Sequence, residues 1–436
     1  MAAEPTPAVA AMVVVTDLVV ISRHLTVLAE IAAKGLEPVL VVGPETEAEE
    51  LARIVSDPRH PLSSVRTIVH VADTDVVSLS GAIIEIAAAY EIKALLNVGE
   101  VFVESAGVLA DVLGLPGPGA YASRVARDKL LQRLAVPELA PRWALARSGA
   151  PAIAPGVLKP TGRMSSSGVR RIDSQQDLDE ALPDYPEHET LLIEELVEAP
   201  EFSVESLVHN GEVVWAGVTA KRTNEDGTDS FTEMGHVSPA AGLSAQDERA
   251  LLDANRTLLE RLRFGSGMAH AEFRAKDGVV TLMEIAARPP GDAITILWHL
   301  ATGQPIEPAL VDLALGIRPP ARAVRRRAEQ IYLDHPQGTL TGVEGGPTPV
   351  FWVSSSRQWP RVEPAGSDGP ARACAVVATR EPGDLLGAIR SSADRSASVI
   401  VDYPLSWPGA GNPGGDELAG LLTAVTVTAQ EAAAHD

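Results

Sequence analysis

Apolar and polar residues alternate in short blocks over the first 100 positions, a pattern typical of buried strands separated by amphipathic helices. The apolar blocks predict parallel strands at residues 12–21, 37–43, 65–71 and 93–99. The segments between them predict helices at His24–Lys34, Glu47–Val55 and Ser78–Tyr90. Thr46 is the expected N-cap of the second helix. This order predicts a parallel sheet covered by helices on both faces.

The pattern changes after the Pro/Gly-rich boundary at Leu115–Gly119. Apolar runs at 190–208 and 212–222, joined by an Asn-Gly turn, predict an antiparallel meander. The polar segment Arg222–His236 that follows is long enough to be a functional flap. The further predicted elements are strands at 156–160, 373–379 and 396–403 and helices at Tyr121–Leu134, Gln175–Leu182, Ala245–Leu262, Asp292–Thr302, Asp384–Ser392 and Gly415–Ala434.

The segment Ser266–Gly291 predicts a β-hairpin that turns at Lys276-Asp277-Gly278. With a three-residue loop, residues of one parity share a face, so Glu272 and Glu284 become diagonal neighbours. That face also carries His270, Arg274 and Leu282 and its parity continues to Arg288, whereas the core face carries Ala269, Ala271, Phe273, Thr281, Met283 and Ile285.

Two carboxylates on one face disfavour the hairpin unless a cation lies between them. A two-residue Asp277-Gly278 loop would instead place Glu272 and Glu284 on opposite faces. An exposed hairpin with scattered charge is the other alternative. The register of the hairpin therefore decides whether the sequence predicts a metal site.

Composition and charge narrow the function classes. A chain of 436 residues should form two or three domains. Its net charge of −22 opposes binding to nucleic acid or to an anionic membrane surface. The basic run Arg318 to Arg327 is the exception, and we interpret it as a solvated or interdomain segment. The single Cys374 excludes an intrachain disulfide and a Cys-based zinc site.

The N-terminal apolar segment predicts neither a signal peptide nor a membrane span. It lacks a basic region in front of the apolar residues, and Asp17 interrupts it. The expected location of the protein is therefore the cytoplasm.

The Gly/Ser segment that follows the strand at 156–160 is a candidate anion site. Lys159 ends this strand, and Thr161–Gly168 (TGRMSSSG) offers backbone N–H groups and hydroxyls beside its positive charge. The segment is not a Walker A loop, because no G-K-[ST] opens a helix, and a flexible linker is the alternative. Glu100 follows a parallel strand at the edge where open α/β sheets place ligands, although a surface glutamate is the alternative there.

Taken together, four segments resemble the ATP-grasp superfamily, and within it the L-amino-acid ligases and related carboxylate–amine ligases. They are ARDKLLQRL around Lys129, VLKPTGRMSSSGV around Lys159, IEELVEAPEFSVE, and HAEFR with DGVVTLMEIAARPPG. The resemblance covers about residues 10–310. It implies an α/β and α+β fold with an N-terminal parallel domain at 1–120, an ATP-grasp domain at 121–320 and a small C-terminal domain at 321–436. A subdomain at about 155–197 would carry the phosphate loop.

The resemblance also implies roles for individual residues. Two lysines, Lys129 and Lys159, would hold the ATP phosphates, with Lys221 near them. The loop that closes over the phosphates would be Ser165, Ser166, Ser167 and Gly168. The adenine hinge would be Glu194 with the backbone of Glu195 and Val197, the ribose contact Glu201, and the magnesium ligands Glu272 and Glu284. Arg288 would fix a substrate carboxylate and stabilise the transition state, while His236 and Glu100 would bind substrate.

The chain departs from the family pattern at one metal position. Many members read Glu-x-Asn, whereas this chain has Glu284-Ile285-Ala286. Ala286 cannot ligate a metal, so the number of bound ions is left open. Magnesium retains several waters and needs few protein carboxylates, so the substitution is compatible with a magnesium site.

The implied function is ATP-dependent formation of an amide or peptide bond through an acyl phosphate. The implied cofactors are ATP and Mg²⁺, which Mn²⁺ can replace, and the partners are a carboxylic or amino acid and an amine or peptide. A homodimer is the usual state in the family. The alternatives are a carboxylase-type enzyme acting on bicarbonate or a purine-pathway substrate, and a nucleotide-binding module without catalysis.

Overall fold

A computed structural model describes residues 9–225, 230–346, 348–407 and 425–430. The N-terminal part is a parallel four-stranded sheet with strand order β3-β2-β1-β4. Its strands are β1 (Val9–Thr16), β2 (Glu37–Val42), β3 (Thr67–His70) and β4 (Tyr90–Asn97). Its helices are α1 (Leu18–Ile21), α2 (Thr26–Ala33), α3 (Ala48–Val55), α4 (Val76–Ala87) and α5 (Val103–Val112), with a 3₁₀ turn at Pro61–Ser64.

The prediction of one strand over residues 12–21 was wrong. The strand ends at Thr16, because the Oδ1 of Asp17 accepts a hydrogen bond from the Val20 N–H at 2.8 Å and caps the short helix α1. The prediction that Thr46 caps α3 was also wrong. Glu47 is the N-cap residue without a side-chain bond, and Thr46 Oγ1 instead accepts from the Leu18 N–H at 3.4 Å.

The helix predicted over Tyr121–Leu134 is two helices, α6 (Ala120–Ala126) and α7 (Lys129–Ala135). Asp128 separates them, because its Oδ1 accepts hydrogen bonds from Leu130 N at 2.8 Å and Leu131 N at 3.3 Å. Lys129 therefore begins a helix, and its backbone N–H binds the Thr161 carbonyl at 3.0 Å.

A small antiparallel sheet follows, with strand order β5-β8-β6-β7. It contains β5 (Trp143–Ala146), β6 (Gly156–Pro160), β7 (Arg170–Ile172) and β8 (Leu191–Glu195), together with helix α8 (Gln175–Ala181) and a 3₁₀ turn at Leu182–Asp184. Because β8 pairs with β5 and β6, the predicted meander of residues 190–222 was wrong at its first strand.

The centre of the molecule is a nine-stranded sheet with order β13-β12-β9-β10-β11-β14-β19-β17-β16. Its strands are β9 (Glu201–His209), β10 (Glu212–Thr223), β11 (Glu233–Ser238), β12 (Gly267–Lys276), β13 (Val279–Ala286), β14 (Arg326–Tyr332), β16 (Val350–Trp352), β17 (Arg372–Ala378) and β19 (Ala397–Pro404). The helices are α9 (Ala245–Arg261), α10 (Ile294–Thr302), α11 (Glu307–Ala314) and α12 (Val353–Ser356). The predicted flap is shorter than 222–236, because β10 continues to Thr223 and β11 begins at Glu233; residues 226–229 lie outside the described chain.

The hairpin of β12 and β13 has a two-residue loop, so the predicted three-residue loop was wrong. Asp277 and Gly278 both have positive φ, 53° and 81°, as a type I′ turn requires. A bulge in β13 then restores the shared face: Phe273 pairs with Leu282, whereas Glu272 pairs directly with Glu284. The β13 residues between the turn and the bulge therefore lie on the opposite face from the one predicted. Leu282 is one of them, and it is fully buried in the core.

The C-terminal segment continues the central sheet, because β14 pairs with β11 and β19 pairs with β14. A third sheet has the order β18-β15-β20 and contains β15 (Gly338–Gly345), β18 (Leu385–Leu386) and β20 (Val425–Gln430). The helix predicted at Asp384–Ser392 was therefore wrong; this segment holds β18, and a 3₁₀ turn lies at Ser392–Asp394.

The helix predicted at Gly415–Ala434 was wrong over Val425–Gln430, which is strand β20. The alternating β-branched residues of VTVTAQ favour a strand paired with β15. The rest of that predicted helix lies outside the described residues. The three-domain division with boundaries at 120 and 320 stays a prediction.

The basic run Arg318 to Arg327 makes internal contacts. Arg326 is fully buried and binds Asp402 of β19 at 3.2 Å. Arg318 binds Glu212 of β10 at 2.6 Å, and Arg327 donates to the Pro239 carbonyl at 2.9 Å. These contacts tie the run to the central sheet, and its interpretation as a solvated or interdomain segment stays a prediction.

The buried carboxyl group of Glu329 on β14 makes the folding stability depend on pH. Burial raises the pKa of this carboxyl to about 7, and Arg222 only partly opposes the shift. Between its ordinary value of 4.5 and about 7, the folded chain holds a proton that the unfolded chain has released. Stability therefore falls as the pH rises through this interval.

Glu329→Gln should remove this pH-dependent cost. We expect the variant to be more stable than the wild type at pH 8, by up to about 3 kcal/mol, and the gain to vanish towards pH 4.5. Urea unfolding of both proteins at the two pH values measures the effect. A gain that is equal at both pH values would contradict the explanation.

Candidate active site

A cleft of about 660 Å³ is lined by residues of all three parts of the chain. This volume is within the usual range for small-molecule sites. The structure brings most of the predicted site residues to this cleft: Glu100, Lys129, Lys159, Ser165, Ser166, Ser167, Glu194, Glu195, Val197, Glu201, Lys221, Glu272, Glu284 and Arg288. Of the predicted set, Gly168 and His236 do not line it.

Lys159 is the penultimate residue of β6 and is held by the adjacent strand β8. Its Nζ lies 2.6 Å from Glu194 Oε2, and the Glu194 carboxylate also accepts from Arg133 Nε at 2.6 Å. Burial alone would raise the pKa of Glu194, but Lys159 and Arg133 together lower it to about 2. The Glu194 side chain therefore fixes two cations at the wall of the cleft, and its predicted contact with adenine stays a prediction.

The backbone groups of the predicted adenine hinge, Glu195 and Val197, form hydrogen bonds with other parts of the protein. The Glu195 N–H donates to the Arg142 carbonyl at 2.9 Å, and the Val197 carbonyl accepts from Arg274 Nη1 at 2.9 Å. Arg274 also binds Glu201 at 3.1 Å. The hinge is thus tied to β9 and β12 through Arg274, a residue to which the sequence analysis gave no role.

The loop of residues 165–168, which we call the serine loop, has an unusual backbone. Ser165 and Ser166 have φ values of 58° and 57°, and Gly168 has a φ of 71°. Non-glycine residues in this region cost roughly 1–3 kcal/mol each and cluster at ligand sites. The Ser166 hydroxyl donates to the Phe231 carbonyl at 3.3 Å, which connects the serine loop to the segment before β11.

Glu272 and Glu284 lie side by side at the base of the cleft on paired positions of β12 and β13. Each is already bound through its Oε1, Glu272 to Lys221 at 2.5 Å and Glu284 to Lys129 at 2.9 Å. Neither Oε2 has a hydrogen-bond partner among the described residues. Two opposed carboxylates with free oxygens suit a hard, oxygen-loving cation such as Mg²⁺. The residues therefore fit the predicted magnesium site.

Lys221 is almost fully buried among three carboxylates. Besides Glu272 it binds Glu233, and its Nζ lies 3.7 Å from Glu201. Burial would lower the pKa of Lys221, but Glu233, Glu272 and Glu201 raise it well above its usual range. The lysine therefore stays charged and screens the like charges around it. Glu201, Glu233 and Glu272 also form a group of oxygens within 4.8 Å of one another, the spacing of a possible metal site.

Arg288 is held over the cleft by Glu100. Its Nε donates to Glu100 Oε2, its Nη1 donates to the Pro289 carbonyl at 2.7 Å, and Glu100 Oε1 binds Arg127. Burial would raise the pKa of Glu100, but the two arginines lower it. A carboxylate held in this way is a poor base, so Glu100 acts here as an anchor for Arg288.

His236 is fully buried and does not reach the cleft. Its Nε2 lies 2.8 Å from Asp292 Oδ2, and Asp292 lines the cleft in its place. Asp292 also binds Arg395 at 2.8 Å and 3.0 Å. Burial would raise the pKa of Asp292, but Arg395 and His236 keep it well below its usual range.

The sequence analysis missed several side chains of the cleft. His270 donates to Glu205 at 2.9 Å and Glu272 at 3.0 Å, and these two carboxylates raise its pKa to about 9 against the effect of burial. Its position two residues before Glu272 could have indicated this contact. Asp292 directly follows the predicted hairpin segment, which could have indicated it, whereas Arg23 and Arg395 had no such signal, because they reach the cleft from remote parts of the chain.

Residues 152–296 match the family model described as an ATP-grasp domain. The chain has an ATP-grasp fold, as the resemblance of its sequence motifs implied. Comparison with curated protein sequences found no significant match.

Solved structures with the same fold include enzymes of several pathways. L-amino acid ligase from Bacillus licheniformis matches with a TM-score of 0.73 at 16% identity, over 98% of this chain and 100% of that one. Phosphoribosylglycinamide synthetase from Anaerococcus prevotii has a TM-score of 0.68 at 11% identity, over 97% and 100%. Biotin carboxylase from Campylobacter jejuni has a TM-score of 0.61 at 14% identity, over 96% and 92%. The TM-scores establish the shared fold, and the low sequence identities leave the substrate open.

In the part of the chain that the structure describes, no helix is both long enough and apolar enough to cross a bilayer.

Proposed function

We propose that this protein is an ATP-dependent carboxylate–amine ligase, and specifically an L-amino-acid ligase that forms a dipeptide or peptide amide. The observation that carries the proposal is the pair Glu272 and Glu284, opposed across two strands with their outer oxygens free. The pair shares one cleft with Lys129, Lys159 and Arg288. The match to L-amino acid ligase over nearly the whole chain supports it.

The first step would activate a carboxylate. An oxygen of the substrate carboxylate attacks the γ-phosphorus of ATP, the bond to the bridging oxygen breaks, and ADP leaves. Lys129 and Lys159 would hold the phosphates in line and offset the charge on the transferring group. Mg²⁺ on Glu272 and Glu284 would supply further charge neutralisation when bound.

The second step would form the amide. The amine nitrogen attacks the acyl carbon, phosphate leaves with the bonding electrons, and the amine proton passes to solvent. Arg288, fixed by Glu100, would stabilise the oxyanion of the tetrahedral intermediate. Because acyl phosphates hydrolyse readily, the serine loop and the segment between β10 and β11 would serve to exclude water.

The proposal is tested by measuring ADP release with ATP and Mg²⁺ over all pairs of amino acids, followed by mass spectrometry of the products. A ligase gives ADP, phosphate and an amide in equal amounts. ADP release that needs bicarbonate would indicate a carboxylase. Biotin carboxylase, one of the solved structures with the same fold, is an enzyme of that kind. ATP binding without phosphate release for any pair would indicate a nucleotide-binding module.

We further propose that the enzyme acts in the cytoplasm on small molecules, with ATP and Mg²⁺ or Mn²⁺ as cofactors, and that it forms a homodimer. Analytical ultracentrifugation of the full chain tests the last point.

A further inference from the structure

One part of the cleft is built from residues that are far apart in the sequence. The cap at Asp17 turns the chain after β1 so that Val19, Val20 and Arg23 line this part. The wall opposite them comes from the C-terminal part and includes Val353 and Trp359.

Arg23 differs from every other arginine that lines the cleft. Among the described residues, those other arginines all have polar partners: Arg163 with Glu189, Arg274 with Glu201, Arg288 with Glu100, Arg357 with Glu50, Arg380 with the Ala393 carbonyl and Arg395 with Asp292. The Arg23 side chain has no hydrogen bond or ion pair within the described chain, and its Nε is buried without a partner. Its guanidinium lies over the Trp359 ring, 5.1 Å from the ring centre.

An unpaired cation whose Nε is buried disfavours folding, because water solvates the partly buried Arg23 charge less well than it does in the unfolded chain. In agreement with this, burial is the main influence on the pKa of Arg23 and lowers it. Trp359 offsets only part of this cost, since cation–π contacts are weaker than a buried ion pair. An anion from outside the chain would complete the site.

Arg23 and Arg288 have different charged neighbours in the cleft. Arg288 is influenced by Glu284 and Glu272, the predicted metal ligands. The charged or titratable groups that influence Arg23 are Asp292, Tyr332, Asp17 and Arg288. Arg23, Arg288 and Asp292 line the same cleft as Glu272 and Glu284. A carboxylate on Arg23 would therefore lie in the cleft that holds the predicted phosphoryl-transfer centre.

We infer that Arg23 binds the free α-carboxylate of the amine substrate, so that this substrate is an amino acid or a peptide and not a simple amine. The inference rests on the proposed ligase function and adds the class of the second substrate. Asp292 supports it, because this carboxylate lines the same cleft and could attract the ammonium group of the same molecule. Guanidinium groups match carboxylates through two parallel hydrogen bonds.

The test compares each amino acid that the product screen identifies as amine donor with its α-carboxamide, in the wild type and in Arg23→Gln. The wild type should prefer the amino acid. Arg23→Gln should lower kcat/KM for the amino acid by at least about 30-fold, chiefly through KM, and leave the carboxamide unaffected. Arg23→Lys should recover part of the loss. Arg318→Gln, which removes an exposed arginine outside the cleft, is the charge-matched control.

Two results would overturn the inference while the ligase function stands. One is an equal loss with the amino acid and its carboxamide, and the other is an unchanged preference in Arg23→Gln. A wild type that makes no amide with any pair would refute the ligase function and this inference with it. The melting temperature gives a second readout: a binding role predicts that Arg23→Gln is at least as stable as the wild type, whereas a purely structural role predicts a lower value.

Discussion

Glu272→Gln is expected to reduce ADP formation by about 10³-fold, because the variant removes one of two opposed carboxylates that would hold the metal. The amide retains the size of the side chain and an oxygen for Lys221. The fold should survive, since Lys221 keeps Glu233 and Glu201 and His270 keeps Glu205. Steady-state ADP release at increasing Mg²⁺ concentrations measures the effect.

Glu284→Gln should have a similar effect through the other ligand. Ala286, which stands where many family members have an asparagine ligand, cannot replace either glutamate. Glu212→Gln removes an exposed carboxylate on β10 and serves as the control for loss of one negative charge. Wild-type rates of amide formation in Glu272→Gln, with the protein fully folded, would show that the pair does not bind a catalytic metal.

Arg288→Lys is expected to lower kcat for amide formation by about 10²–10³-fold, the usual effect of losing one oriented donor at an oxyanion. Lysine keeps the positive charge but cannot bind Glu100 and the Pro289 carbonyl together as the guanidinium does. The KM for ATP should change little, because Lys129 and Lys159 are intact. Single-turnover measurement of amide formation separates this chemical step from nucleotide binding.

Glu100→Gln tests whether Glu100 acts through Arg288. We expect a smaller loss than for Arg288→Lys, and the double variant should be no worse than Arg288→Lys alone. The pH profile of kcat should keep its shape in Glu100→Gln, because the anchored carboxylate is not the base. Additive losses in the double variant, or a lost limb of the profile, would instead assign Glu100 an independent role.

The hairpin of β12 and β13 shows how a correct outcome can follow from a wrong register. The Asp-Gly turn was predictable from local pattern, whereas the shared face of the two glutamates was predicted from a loop length that the structure does not have. The bulge was not, because it depends on the packing of Leu282 into the core and on the pairing of β12 with β9. Without the bulge, the two-residue turn would have separated the glutamates.

Local polar side chains explain the errors in helix and strand bounds. Asp17 and Asp128 cap helices that interrupt otherwise continuous apolar patterns. Both residues were visible in the sequence, but apolar periodicity outweighed them in the prediction. The C-terminal errors have another cause, because β18 and β20 exist only as partners of β15.

The sequence by itself determined the alternation of strands and helices, the lysines and glutamates of the cleft, and the ATP-grasp class, because short motifs keep their residue types and spacing along the chain. Only the tertiary structure decided which charges neutralise one another. Glu194 with Arg133, Glu100 with Arg288 and Asp292 with Arg395 are joined over distances along the chain that no local pattern spans. Arg23 has a functional interpretation for the same reason: its lack of a partner is a property of the folded cleft and not of its neighbours in sequence.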